Sequence, residues 1–178
     1  MMKKNRIYNQ IYEAAEKNYM APLFIEDVPN MQLSDLRTEA RYIREKEKVE
    51  IIFIDYLGLI GIENSAAPRF EQVSEISRSI KGLARELDIP IVVLSQVGRG
   101  SEGVPPTLAN LRDSGAVEQD ADVVMLLHRE RKQDPEQSEK DFFPTDLEIA
   151  KNRNGATGKI QLAYYPKITR FKETTNYE

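Results

Sequence analysis

This 178-residue sequence predicts an α/β fold with a parallel core and antiparallel C-terminal hairpin strands. Three observations carry that expectation. Short, β-branched runs at 49–55, 91–96 and 122–128 alternate with segments whose apolar residues recur at helical spacing, the order expected of a parallel sheet with crossover helices. The runs are almost wholly apolar, which suits strands covered on both faces. Beyond residue 147 the chain reads as β structure interrupted by Asn154-Gly155 and Gly158, the residue types of hairpin turns. At this length one domain is expected, burying about 70% of the surface its unfolded chain would expose.

The elements follow in order. Residues 5–18 place Ile7, Ile11 and Ala14 at helical spacing, and Pro22 then precedes a strand-like Leu23-Phe24-Ile25. The spacing of Leu36, Ala40 and Ile43 predicts a helix over 34–47, with Asp35 near its start and Lys46 and Lys48 near its end, as the helix dipole favours. Val49 to Asp55 reads as a buried strand and 61–69 as a polar loop. Residues 70–88 carry the strongest helical pattern, with Phe70, Val73, Ile76, Ile80, Leu83, Ala84 and Leu87 on one face. Pro90 ends that helix, and Ile91 to Gln96 forms the second strand. Three glycines and two prolines make 97–107 a loop. A short helical stretch leads into the third strand, Asp122 to His128, and 132–145 reads as an exposed polar loop with Phe142-Phe143 as a packing anchor. Leu147 to Arg153, Lys159 to Tyr164 and Ile168 to Phe171 are the closing strands.

Composition narrows the function classes. Hydrophobic residues make up 40% and charged residues 30% of the chain, as in ordinary globular proteins. With no cysteine, disulfides and thiolate zinc sites are excluded. No apolar run approaches the roughly 20 residues needed to span a bilayer, and the N-terminus does not lead into a signal-peptide core; a cytoplasmic, membrane-free protein is the expectation. A net charge of −4 and a pI near 5.3 argue against a broad basic nucleic-acid surface. Any grip on DNA must come from a few positioned groups.

Chemistry gathers at strand ends, where ligands bind in such sheets. Four apolar residues followed by an acid, Ile51-Ile52-Phe53-Ile54-Asp55, form a Walker B pattern whose acid can help hold Mg²⁺ on a nucleotide. An acid capping a buried strand is also ordinary, so the run alone admits both readings. Tyr56 follows Asp55, so the version of the site with an adjacent glutamate is absent. Ser95-Gln96 ends the neighbouring strand, where an amide can report a γ-phosphate or simply terminate the strand. In Leu111 to Asp122, Arg112 and the Ser114-Gly115 turn offer a cation and free N–H groups, a combination that grips a phosphate backbone without reading bases. The acids Glu118, Asp120 and Asp122 would repel DNA and should point elsewhere. Lys151 and Arg153 alternate on a strand and so project to one face; they suit a phosphate, or are solvated edge charges. His128, the single histidine, is expected to be structural.

The stretch Leu-Arg-Asp-Ser-Gly-Ala-Val-Glu-Gln-Asp-Ala-Asp at 111–122 resembles the signature of DnaB-type replicative DNA helicases. Asp55-Tyr56-Leu57-Gly58-Leu59-Ile60, Ser95-Gln96-Val97 and Lys151-Asn152-Arg153-Asn154-Gly155-Ala156-Thr157-Gly158 match the same family in order and at fitting spacing. The resemblance covers the chain from about residue 20 onward. It implies a RecA-like P-loop ATPase core that binds ATP and Mg²⁺, works as a homo-hexamer, threads single-stranded DNA through its centre and unwinds the duplex at the replication fork. It implies Asp55 as the metal-holding acid and Gln96 as a nucleotide contact, with Lys151 and Arg153 reaching a neighbouring protomer's γ-phosphate and Arg153 as the finger. It places Arg112, Asp113 and Gly115 at the DNA and makes a primase and a helicase loader the expected partners. A ring also settles the charge question, since a pore can concentrate six copies of Arg112 in an acidic chain.

Three departures from the family stand out. No Gly-x-x-x-x-Gly-Lys-Ser/Thr loop occurs, and that loop supplies the N–H cradle and the lysine for the phosphates. The family carries it upstream, together with a catalytic glutamate and an N-terminal collar domain. Residues 1–178 are therefore expected to be one partial motor domain, truncated on its N-terminal side and unable to hydrolyse ATP alone. The loop after Gln96 carries only Arg99 as a base, where the family carries more. Asp113 stands where the family has glutamate. Two other readings compete. A RadA/RecA-like recombination ATPase shares the sheet and a similar Lys-Asn-Arg motif but should lack the 111–122 stretch. A noncatalytic docking module fits the missing loop but has no need of Asp55, Gln96, Lys151 and Arg153 together.

Overall fold

A computed structural model describes residues 2–63, 66–97, 104–110, 115–129 and 142–174. In chain order the elements are α1 (Met2–Tyr19), α2 (Leu33–Glu47), β1 (Ile52–Ile54), α3 (Arg69–Leu87), β2 (Ile91–Val93), α4 (Gly115–Asp120), β3 (Val123–His128), β4 (Phe143–Asn152), β5 (Gly158–Tyr165) and β6 (Arg170–Glu173).

The apolar stripe of α3 organises the core. Val73, Ile76, Ile80 and Leu83 are buried along it, with Ile76 at 0% exposure. Val73, Ile76 and Ile80 pack with Leu33 of α2 and with Leu57, Ile60 and Ile62 from the turn after β1. Ile54, Ile91 and Val93 reach the same cluster from the strands, and Val117 from α4. Burying such side chains stabilises by about 1.5–3 kcal/mol each, so this cluster fixes how β1 and β2 sit. Helices α2 and α3 each end on a left-handed residue, Lys48 after α2 and Asp88 after α3, and the Ile89 amide closes the second cap on the Ala84 carbonyl at 3.3 Å.

β1 and β2 pair in parallel, with Ile52 opposite Ile91 and Ile54 opposite Val93. A separate antiparallel sheet runs β3-β4-β5-β6. The α/β class is as expected, with parallel strands first and antiparallel strands at the C-terminus. Its details differ from the sequence reading. The two parallel strands are three residues each, and β1 is open on one face: Phe53 is 65% exposed, while Val92 opposite it on β2 is half-buried. The third strand is likewise one-sided, with Val124 and Leu126 buried and Val123, Met125 and Leu127 exposed. Its described ladder partner is β4, antiparallel, with a register irregularity between Val124 and Met125. Continuous apolarity suggested cover on both faces, but the α3 cluster packs against one face of β1 and β2, Leu108 packs against one face of β3, and no described element covers Phe53, Met125 or Leu127.

The N-terminal helix forms, yet Ile7 and Ile11 are exposed. Leu23-Phe24-Ile25 forms no strand and pairs with none among the described residues. The expected loop at 132–145 is corrected at its end, because β4 already begins at Phe143; residues 130–141 lie outside the described set. Phe142 does serve as an anchor, its ring 5.8 Å from that of Tyr165. Arg129 sits over the Phe143 ring at 5.3 Å.

Candidate functional site

The carboxyl ends of β1 and β2 leave the sheet side by side. The Leu94 amide donates to the Ile54 carbonyl and the Leu57 amide to the Leu94 carbonyl, both at 2.9 Å. These bonds bring Asp55 and Ser95-Gln96 to one edge, as the sequence placed them. Asp55 and Gln96 are exposed there, and neither side chain bonds to another described residue. An exposed carboxylate is a hard oxygen donor, and Mg²⁺ takes one or two such groups beside phosphates and water. Asp55 therefore fits the role of a metal-holding acid, although among the described residues no cluster of three potential metal ligands exists.

The second group of charges lies at the end of α4. Lys151 and Arg153 project to one side of the β4 end, as their alternation required. The Lys151 ammonium donates to the Glu118 carbonyl at 2.5 Å and to the Gln119 carbonyl at 3.3 Å. Arg153 donates from Nη2 to the Gln119 carbonyl and from Nη1 to Asp122 Oδ1, each at 3.2 Å. Its backbone amide donates to the Asp122 carbonyl at 2.8 Å. The last carbonyls of a helix have no intrahelical partner and draw cations, which explains why both side chains settle there.

Two acids of the 118–122 segment meet side chains of α3. Asp120 Oδ2 accepts from the Ser77 hydroxyl at 2.7 Å. Asp122 Oδ2 is held by the Lys81 ammonium of α3. That hydrogen bond, outweighing desolvation and helped by the charges of Lys81, Arg153 and Arg85, holds the Asp122 carboxyl below the usual aspartate range. Sequence reasoning missed Lys81, Ser77 and the two carbonyls. A signal for the first two existed: Ser77 and Lys81 are one turn apart on α3, the spacing that lets one helix meet two acids of a neighbour.

Of the residues expected at DNA, Arg112 and Asp113 lie outside the described residues. Gly115 is the exposed first residue of α4, and an added Cβ there would meet nothing described within 4 Å. Arg99 also lies outside. His128 is half-buried, and its Nε2 is buried without a hydrogen-bond partner among the described residues.

Comparison with known proteins bears on this arrangement. The family model for the DnaB-like helicase C-terminal domain matches residues 1–173. The replicative DNA helicase DnaB of Treponema pallidum is 54% identical over 164 residues, which span 92% of this chain and 35% of that protein. The Geobacillus stearothermophilus DnaB is 39% identical over 155 residues, 85% of this chain and 34% of that protein. The chain thus spans about a third of the length of these curated relatives. A solved structure described as an ATPase domain superposes with a TM-score of 0.82 at 31% identity, covering 94% of this chain and 60% of that one. A DnaB-like replicative helicase, solved with its interactions with primase described, gives 0.80 at 32% identity, covering 92% of this chain and 41% of the other.

Proposed function

Since the chain belongs to the DnaB-like helicase C-terminal domain family, we propose that it forms most of the motor domain of an ATP-driven replicative helicase. The motor works as a homo-hexameric ring in the cytoplasm, translocates on single-stranded DNA and unwinds the duplex at the fork. The observation that carries the reading is the division of the polar groups into two sets. Asp55 and Gln96 stand exposed at the end of the parallel strands, while Lys151 and Arg153 gather at the end of α4. Two half-sites on one chain suit a nucleotide held between neighbours, and a head-to-tail contact of that kind closes into a ring.

In this reading Asp55 holds Mg²⁺ through its carboxylate and Gln96 hydrogen-bonds the γ-phosphate from the same subunit. Lys151 and Arg153 reach the γ-phosphate of the adjacent subunit. When bound, Mg²⁺–ATP supplies the transferable phosphoryl group and a cation that offsets its charge. A finger given in trans is worth about 10³–10⁵ in rate. Arg112 and the Gly115 amide hold the DNA backbone, with Asp113 next to Arg112 in the same DNA-facing segment. The phosphate loop belongs upstream of this segment. Exposed Phe53, Met125 and Leu127 support that placement, since the strand and helix carrying the loop would cover them. Among the described residues no helix is long and apolar enough to cross a membrane. A primase and a helicase loader are the proposed partners, and a similar helicase whose structure is described with its primase interactions supports the first.

The test compares ATP turnover by this chain with turnover by the protein extended upstream through the phosphate loop, with and without single-stranded DNA. The longer form should hydrolyse ATP, faster with DNA, and residues 1–178 should be silent. A longer form that is inactive as a ring with Mg²⁺ and DNA would remove the motor reading.

A further inference from the structure

We infer that Asp122 is the positioning residue for Arg153, held in place by Lys81 on α3. The inference rests on the proposed role of Arg153 and adds how that side chain is aimed. A long guanidinium on an exposed turn would sample many rotamers, and a finger that must meet a phosphate loses rate with every misdirected one. Here it has two fixed partners. Nη1 meets Asp122 Oδ1 and Nη2 meets the Gln119 carbonyl, each at 3.2 Å. These contacts engage two of the five N–H donors of the fork and leave the others for a ligand. The Arg153 amide on the Asp122 carbonyl at 2.8 Å ties the two backbones as well.

The carboxylate that does the aiming is itself aimed. Its other oxygen, Oδ2, is taken by Lys81, whose side chain is only 20% exposed against 47% for Arg153. Lys81 lies on the buried α3, one turn after Ser77, which fixes Asp120 at 2.7 Å. The chain of contacts therefore runs from the core helix through Asp122 to the guanidinium. Ion pairs this exposed contribute only a small share of stability, so the larger effect of Asp122 should be kinetic.

The experiment uses the ring-forming protein that carries this segment with its upstream phosphate loop. ATP turnover is measured for Asp122→Asn, Arg153→Ala and the double variant, with Lys81→Met as a second route. Asp122→Asn keeps the size but turns an amide donor toward one of the two cations. The expected result is a kcat lower by about 10- to 100-fold, with KM for ATP within about twofold because a group acting only in the transition state leaves ground-state binding alone. Lys81→Met should lower kcat in the same way. The double variant should be no slower than Arg153→Ala, since the two residues act as one unit. Turnover near wild type for both Asp122→Asn and Lys81→Met, or a double variant slowed by the product of the single effects, would overturn the inference while leaving Arg153 in its role. An active Arg153→Ala would instead remove the reading beneath it, and the inference with it.

Discussion

The placement of Asp55 and Gln96 depends on one buried face of β1 and β2, and that can be tested by paired truncations. Ile76 is fully buried in α3 among Leu33, Leu57, Ile60, Ile62, Val73 and Ile80. Ile76→Ala removes three carbons; at about 0.8 kcal/mol for each buried carbon the transfer loss is roughly 2.4 kcal/mol. The cavity left behind raises the expected cost to about 3–4 kcal/mol. Phe53 is a larger side chain but stands 65% exposed on the other face of β1, so Phe53→Ala should cost under about 1 kcal/mol in this chain. Urea unfolding followed by circular dichroism measures both. With a slope of about 2 kcal/mol per molar urea, the Ile76 variant should unfold about 1.5–2 M earlier and the Phe53 variant close to wild type. Equal losses at the two positions would refute the one-sided sheet and the strand placement built on it.

Other outcomes follow from the ion pairs. The Asp122 carboxyl is held low chiefly by the hydrogen bond from Lys81. Its contribution to stability is therefore present above the ordinary aspartate range and fades as pH falls through its lowered folded value. The difference in urea midpoint between wild type and Asp122→Asn should be constant near neutrality and shrink in acid; a difference that grows in acid contradicts the assignment. Arg41 and Glu86 join α2 to α3 through two contacts of 2.5 and 3.0 Å, but both are exposed. Arg41→Ala should leave the urea midpoint unchanged within error, and a clear drop would mean that the helix pair depends on this bridge. Arg153→Lys should not restore turnover lost in Arg153→Ala, because an ammonium cannot meet Asp122, the Gln119 carbonyl and a phosphate with one fork; substantial recovery in a turnover assay would show that charge alone suffices.

The helical elements were readable from pattern alone. Seven apolar positions on one stripe identify α3, and Pro90 marks its end. The hairpin at Asn154-Gly155 and the shared edge of Asp55 and Gln96 were equally legible, because strand order and turn chemistry are local. Cover was not. Phe53, Met125 and Leu127 are as apolar as the buried residues beside them, and only the presence or absence of a packing partner separates the two. Among the described residues the same lack of a partner leaves Leu23-Phe24-Ile25 without a strand assignment. Lys151 and Arg153 were legible as a same-face pair from their alternation, whereas their settlement on Glu118, Gln119 and Asp122 depends on a contact across more than thirty positions of chain. The acids of that segment were expected to turn from DNA; Asp120 and Asp122 meet Ser77 and Lys81 of α3, a pairing that the one-turn spacing of Ser77 and Lys81 hints at but that distance in sequence hides.

In the proposed ring Asp55 serves its own subunit's nucleotide and Arg153 its neighbour's. The direct measurement mixes two inactive rings of the longer protein, Asp55→Asn and Arg153→Ala, allows subunits to exchange, and follows ATP turnover against the mixing ratio. Turnover should return and peak near equal amounts, because an Arg153→Ala subunit keeps its own acid and receives an intact arginine from an Asp55→Asn neighbour. Mixed rings of confirmed composition that remain silent at every ratio would place both residues in one subunit's site and contradict the account.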